Sequence, residues 1–381
     1  ASRKITGTAG AVTIFGTTTL TAGTTEDIAL NNVGNDFTGA VSIVSGGNVS
    51  LRDDNTGFSL GATNVSTRLT VNSDDTITPT APITGAGGLT KQGVGTFVLD
   101  QINTYLGTTL VSAGVLAVNG SITSDVTVDP SGTLHGIGTI TGNVVGAGTF
   151  SPGNSPGVMT INGDFTPTGT VNFEVNSTYV TAGTDYDQYV IDGTVNLSGA
   201  TLTFTNNVVG TPANGTIVTL IDNTSANLTT GSASPASGTT VLGGDFKIFY
   251  DGGTGNDVVL KEASVPTVTV DIVDAALNDT DNSSNVTFEF SEDVTGFDVS
   301  DLTPVGGTLS AFTVIDGNSY SVTFTADDGV ETTGSVTVGT DYTDLVLNTG
   351  TTGSDTVTID TLNPTVTVDI VDAALNDTDN S

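Results

Sequence analysis

The sequence predicts an all-β protein: a parallel β-helix followed by tandem β-sandwich modules. Three observations carry this. Short apolar pieces bounded by Gly or Asn recur densely from residue 1 to about 262. The segment PTVTVDIVDAALNDTDNS stands at 266–283 and again at 364–381, a period of 98 residues with every position identical. Gly, Thr, Val, Asn and Asp dominate while Lys, Arg, Gln and Glu are scarce, which suits strands and turns and disfavours helices.

The first region, 1–262, contains pieces such as Gly95-Thr96-Phe97-Val98-Leu99, Gly114-Val115-Leu116-Ala117-Val118, Gly132-Thr133-Leu134 and Gly148-Thr149-Phe150. Strands of three to five residues are short for a sandwich. They suit the rungs of a solenoid, in which no rung buries its inward face alone and stacking supplies the core. Phe97, Leu99, Leu116, Leu134, Ile140, Val144 and Phe150 are the expected inward positions, with Thr and Asn outside and inward Asn laddering at turns. One continuous β-helix is expected from about 10 to 260.

The second region, 263–363, alternates strand-like runs (Val286-Thr287-Phe288-Glu289-Phe290) with turn signals at Asp316-Gly317-Asn318 and Asp327-Asp328-Gly329, both read as hairpins. About seven short strands in 100 residues fit an Ig-like sandwich, with Phe288, Phe290 and Phe297 in its core. Residues 364–381 are expected to open the next copy along the same backbone path. Pro266 and Pro364 mark junctions with little linker, which favours a stiff array. With Ala1 first and the chain stopping inside a repeat, the sequence reads as a segment of a longer protein.

Charge narrows the partners. There are 41 acidic residues against seven basic ones, a net charge of −34. Such a field argues against nucleic acid and anionic lipid and invites divalent cations. The absence of Cys is compatible with secretion, and no apolar run is long enough to span a membrane.

Some of these residues resemble known families. Gly87-Gly88-Leu89-Thr90-Lys91-Gln92-Gly93-Val94-Gly95-Thr96-Phe97-Val98-Leu99, with Asn103-Thr104-Tyr105 and Ala113-Gly114-Val115-Leu116, resembles the autotransporter-associated β-strand repeat of bacterial passenger domains. Asn35-Asp36-Phe37-Thr38-Gly39 and Leu51-Arg52-Asp53-Asp54-Asn55 resemble filamentous-haemagglutinin-type rungs. The stretch Phe288–Leu302, followed by Gly306-Gly307-Thr308-Leu309, is similar to a bacterial Ig-like repeat of giant adhesins. The resemblance implies a right-handed parallel β-helix and a large secreted, cell-surface adhesin.

Catalytic chemistry has few residues to use. His135 is the sole His; it sits in a Gly-rich rung with no marked nucleophile and reads as structural. Arg52 and Arg68 are the basic residues central enough to assist carboxylate chemistry, and their neighbours Asp53 and Asp54 read as turn residues. The chain is read as non-enzymatic. Calcium has a stronger case. Asp271, Asp274, Asp279 and Asp281 fall close together, and Asp279-x-Asp281-x-Ser283 has alternate-ligand spacing, although the loop is no EF-hand: Ser284 and Phe290 replace its Gly and Glu. Asp360, near the next junction, is the fifth candidate ligand for Ca²⁺. Asp and Asn also favour turns for local reasons. Gly252-Gly253-Thr254-Gly255-Asn256-Asp257 matches one calcium-binding nonapeptide; one copy closes no site, so it reads as structural.

The functional expectation is therefore a β-helix body with an Ig-like stalk, mediating attachment or biofilm formation through a cell-surface receptor, a glycan or self-association. The alternative is a self-assembling subunit of a surface layer, sheath or filament. A third reading, ice or mineral binding through ranked Thr-x-Thr, finds Thr201-Leu202-Thr203 but no regular rung spacing.

Overall fold

The computed structural model describes residues 4–7, 10–53, 58–176, 178–206 and 211–371. Asp54 and Asn55 of the haemagglutinin-type stretch and residues 372–381 of the second repeat copy lie outside them. The chain divides into two compact units, Ala1–Ala263 and Ser264–Ser381. Apart from 3-10 turns at Leu242–Gly244 and Val299–Asp301, the regular elements among the described residues are strands.

The first unit is a parallel β-solenoid. One sheet stacks nine successive parallel strands, from Ile5–Thr6 to Phe165–Pro167. A second face carries a six-stranded sheet, Thr96–Leu99 through Thr201–Asn206, and a separate four-stranded sheet of earlier rungs ends at Ile83–Thr84, where the Ile83 carbonyl accepts from Thr104 N beside the third sheet. A third sheet starts at Ile102–Asn103 and stacks in parallel up to Ile217–Asn223. Each rung adds one strand to each face, so equivalent positions form columns. Phe97, Leu116, Leu134, Phe150, Val171 and Leu202 are consecutive partners. So are Ile28, Val49, Leu69 and Leu89. All seven expected inward residues are fully buried. In the later rungs, Phe150, Phe165 and Tyr189 pack ring to ring at 5.6 and 4.9 Å.

Several polar groups inside the solenoid are satisfied locally, as burial demands, whereas the buried Tyr189 hydroxyl has no hydrogen-bond partner among the described residues. Thr109 bonds the Tyr105 hydroxyl (2.7 Å) and Ser124 Oγ (2.9 Å). Buried Asn103 accepts from Ile83 N and donates to Gln101 O and Ser121 O. Lys91 is wholly buried, and its ammonium donates to the carbonyls of Gln92, Gly93 and Ala113. Gly114 makes that pocket: its φ is +68°, and a Cβ there would meet Gly93 O at 2.3 Å. A further side-chain ladder runs along the turns: Asp125 accepts from Asn143 N, Asn143 from Asp164 N and Asp164 from Thr194 N, all at 2.8–2.9 Å. This ladder is exposed, unlike the inward one expected.

The solenoid does not run in parallel to residue 260. Ile217–Asn223 pairs antiparallel with Asp257–Glu262, which pairs antiparallel with Phe246–Gly252, itself joined by Thr240–Val241. A stacked rung leaves a row of unpaired backbone groups at its end, and an antiparallel meander covers one face of that edge.

The second unit is a β-sandwich. One four-stranded sheet orders Val268–Ile272, Ser283–Phe290, Ser319–Ala326 and Gly307–Val314; the other orders Ala276–Asn278, Gly353–Asp360, Glu331–Val338 and Leu302–Val305. Phe288, Phe290 and Phe297 are buried as expected. Phe290 and Phe297 meet at 4.9 Å, and Tyr320 and Tyr342 complete the cluster. Asp316-Gly317-Asn318 joins a hairpin, Gly307–Val314 to Ser319–Ala326. Asp327-Asp328-Gly329 does not: it carries the chain from one sheet to the other. A turn signal specifies reversal, not which sheet the next strand joins.

The two repeat copies differ in conformation. Val268–Ile272 forms five ladder pairs with Ser283–Phe290. Residues 364–371 form no strand among the described residues, and Val366, Val368 and Ile370 are 84, 78 and 75% exposed. A strand needs a partner for its backbone groups; among the described residues none pairs with this segment, and the counterpart of Ser284–Phe290 lies outside the 381 residues.

Candidate functional site

The five candidate calcium ligands occupy outer positions of the sandwich. Asp271 faces outward on Val268–Ile272, between inward Val270 and Ile272. Asp274 follows in a bend whose backbone N–H donates to Ser284 Oγ. Asp279 and Asp281 flank Thr280 in a tight turn. There Asn278 Oδ1 accepts from Thr280 N, Thr280 Oγ1 and Asp281 N, so the spacing that suggested ligands also builds an Asx turn. Asp360 ends its strand directly beside Asn278 and Glu331. The structure thus gathers the 278–281 turn and Asp360 at one end of a sheet. It does not bring any three of these five carboxylates within 4.8 Å of one another.

Two acidic residues escaped the sequence reading. Glu292 and Asp344 are both buried, with carboxylate oxygens within 4.8 Å of each other. Asp344 is held by the backbone N–H groups of Val346 (2.9 Å) and Asn348 (2.7 Å) and by Asn348 Nδ2 (2.8 Å). Their separation of 52 positions left no local signal.

The nonapeptide-like segment is committed to structure. Asp257 accepts from Asn223 N and Thr254 N. Asn256 Nδ2 donates to the carbonyls of Asn223, Ser225 and Asn227, pinning the loop beside it.

On the solenoid, a cavity of about 460 Å³ opens on the outer face of the six-stranded sheet. Its floor comes from successive rungs: His135 pairs with Ser151, and Asn172 and Glu174 with Thr203 and Thr205. Its wall is the loop at 152–155 together with Asp187. Asp187 is 2% exposed and accepts from Gly157 N and Glu174 N, both at 2.8 Å. Burial pushes its carboxyl up to about 6, against those two hydrogen bonds. Gly153, at φ +96°, lies so close that a Cβ would sit 2.2 Å from Asp187 Oδ1. Burial also depresses the His135 pKa, and its Nδ1 has no hydrogen-bond partner among the described residues. A hydrolytic triad needs a carboxylate on that nitrogen.

The chain thus joins a parallel solenoid with an outward polar cavity to a sandwich module. Comparisons with known proteins agree. Residues 89–118 match the passenger-associated-transport-repeat family, 262–361 a bacterial Ig-like domain and 1–44 a family of repeats of unknown function. The chain is similar to an extracellular serine protease of Serratia marcescens, 47% identical over 78 residues, which are 20% of this chain and 8% of the relative. It is also similar to the adhesin BmaC autotransporter of Brucella suis biovar 1 (strain 1330), 41% identical over 95 residues, 23% of this chain and 3% of the relative. The chain therefore spans under a tenth of either relative. These matches fit an autotransporter passenger with Ig-like repeats, secreted or displayed at the cell surface. Among the described residues no helix is long and apolar enough to cross a membrane.

Proposed function

We propose that this chain is a non-enzymatic adhesin segment: the solenoid presents the contact surface and the Ig-like modules act as spacers in attachment or biofilm formation. The observation that carries the reading is the joining of a passenger-type solenoid to an Ig-like module whose residues 266–283 recur unchanged at 364–381. Serial identical modules extend reach. The similarity to an adhesin over 95 residues supports it. His135 Nδ1, without a carboxylate partner, supports the non-catalytic part.

Calcium belongs to the same proposal. Residues 262–381 contain 22 acidic residues and no Lys or Arg. Divalent cations bound by Asp271, Asp274, Asp279, Asp281 or Asp360 offset that repulsion where it is densest. The experiment is to coat beads with the purified chain and count those retained on host and bacterial cells, then image the surface of cells displaying it. Retention above uncoated beads, with separate projections on the surface, is expected. Unretained beads together with an ordered lattice would replace adhesion by the architectural reading.

A further inference from the structure

We propose that the cavity bounded by His135, Ser151, Asn172, Glu174, Asp187 and Thr205 is a subsite for one or two rings of a neutral glycan; the inference rests on the adhesin reading and names its ligand class. The volume, about 460 Å³, is that of a small-ligand cleft. Hydroxyl, amide and carboxylate groups make up most of its lining, and Pro152 is the one apolar side chain there. An apolar ligand would leave those groups unpaired and desolvated, which disfavours it. An anionic ligand finds no Lys or Arg in the lining and meets a chain of net charge −34. A metal ion is also poorly served, because His135, Glu174 and Asp187 do not all three bring ligand atoms within 4.8 Å of one another. A polyhydroxylated neutral ring answers the lining: its hydroxyls donate to carboxylates and accept from amides.

The groups are also held in place, as recognition of such a ligand requires. Two backbone N–H groups fix Asp187, and the Gly153 loop closes against it. Asn172 Oδ1 accepts from the hydroxyls of Thr203 (3.0 Å) and Thr205 (3.4 Å), which leaves its Nδ2 for a ligand oxygen. Outside the cavity, Thr133, Thr149, Thr170 and Thr201 stand in one column on the same face. A glycan longer than the cavity continues along hydroxyls at the rung spacing of about 4.8 Å.

The test is saturation-transfer NMR titration of the 381-residue chain with the methyl glycosides of glucose, galactose, mannose and N-acetylglucosamine. N-acetylneuraminic acid and methyl glucosaminide serve as the anionic and cationic comparisons. At least one neutral glycoside should saturate with a Kd on the order of 1 mM, as expected of a small ligand. Asn172→Ala and Glu174→Gln should each weaken it about fivefold or more with the solenoid still folded; Glu174→Gln is the cleaner test, because Asn172→Ala also removes the acceptor of Thr203 and Thr205. Binding of the charged sugars alone, no binding at all, or neutral binding untouched by both variants would overturn the subsite. Bead retention separates this from the adhesin reading. Beads retained equally by wild type and both variants, and not displaced by glycoside, overturn the subsite and leave adhesion standing. Beads not retained overturn adhesion, while a glycoside titration lost in the variants still supports the subsite.

Discussion

In the solenoid, Leu134 is paired with Leu116 one rung before and Phe150 one rung after. In the sandwich, Phe290 packs against Phe297, Tyr320 and Tyr342, which come from three other segments of the module. The first arrangement needs only that each rung offer an apolar residue of tolerable size to its neighbours, so the rungs can drift apart in sequence. The second needs distant residues to meet in one cluster. Charge divides the regions too. The first 261 residues hold 19 acidic and all seven basic residues; the last 120 hold 22 acidic and no basic ones. Two of the solenoid's cations are built into its framework: Lys91 on three carbonyls, and Arg68 across rungs to Leu89 O and Thr90 Oγ1. The sandwich satisfies its buried carboxylates with N–H donors, as around Asp344.

The largest expected effects come from breaking each core in its own way. Leu134→Asp places a charge in a fully buried column and should cost more than about 4 kcal/mol. Phe288→Ala should cost about 3–5 kcal/mol in the sandwich. Calorimetry should show each variant lowering the transition of its own unit. If Leu134→Asp left the solenoid's transition unchanged, stacked columns would not be its source of stability.

A second test sharpens the contrast in cations. Lys91→Met removes a donor from three carbonyls in a fully buried site and should cost about 1–3 kcal/mol. Burial pushes Lys91 down to about 8, so folding disfavours its proton relative to an unfolded value of about 10.4. Between those values the unfolded chain binds more protons, and stability from this group rises with pH. The gap between wild type and Lys91→Met, read by denaturant midpoints from pH 7 to 10, should therefore change across that window. A constant gap would mean that the amine does not titrate there.

Asp187 gives a smaller effect of opposite sign. Its folded pKa, about 6, lies above the unfolded value of about 3.9. The folded state binds more protons between the two. Its contribution is then full below pH 4 and is lost as pH rises through 6, by at most about 3 kcal/mol. The difference between wild type and Asp187→Asn should shift in that direction over pH 4 to 7, and should be flat above it.

What the sequence makes legible follows from the same contrast. Columns such as Phe97–Leu116–Leu134 were readable because Gly brackets each strand and the inward residue alternates. The antiparallel end of the solenoid was not, because Ile217–Asn223 and Asp257–Glu262 have the same apolar runs as the rungs, and alternation carries no strand direction. The cavity was unreadable for a different reason: Asp187 reaches Gly157 and Glu174 across 30 and 13 positions, through a loop rather than a periodic element. In the sandwich, the Phe cluster was legible from alternation. The pair Glu292 and Asp344 was not, since nothing local distinguishes a buried carboxylate from the solvated ones around it.

The smallest expected effect addresses the charge difference directly. If bound cations offset repulsion in the sandwich, Ca²⁺ should raise its transition and leave that of the solenoid nearly fixed, since only the solenoid has its own cations. Extracellular sites need a Kd of only about 10⁻⁴ to 10⁻³ M. At about 1 mM free Ca²⁺, binding confined to the folded state adds roughly 0.4 to 1.4 kcal/mol, a shift of a few degrees for a module this size. Mg²⁺ at matched ionic strength controls for screening, which acts on every exposed carboxylate alike. Variants replacing Asp279 and Asp281, or Asp360, by Asn then locate the effect. Each removes a charge, so each should raise the stability measured in EDTA slightly while abolishing the Ca²⁺ increment. A rise in EDTA with the increment intact would mean that these residues only repel, and that the cation is held elsewhere in the module. Equal shifts with Ca²⁺ and Mg²⁺ would mean that the acidic surface is answered by screening alone.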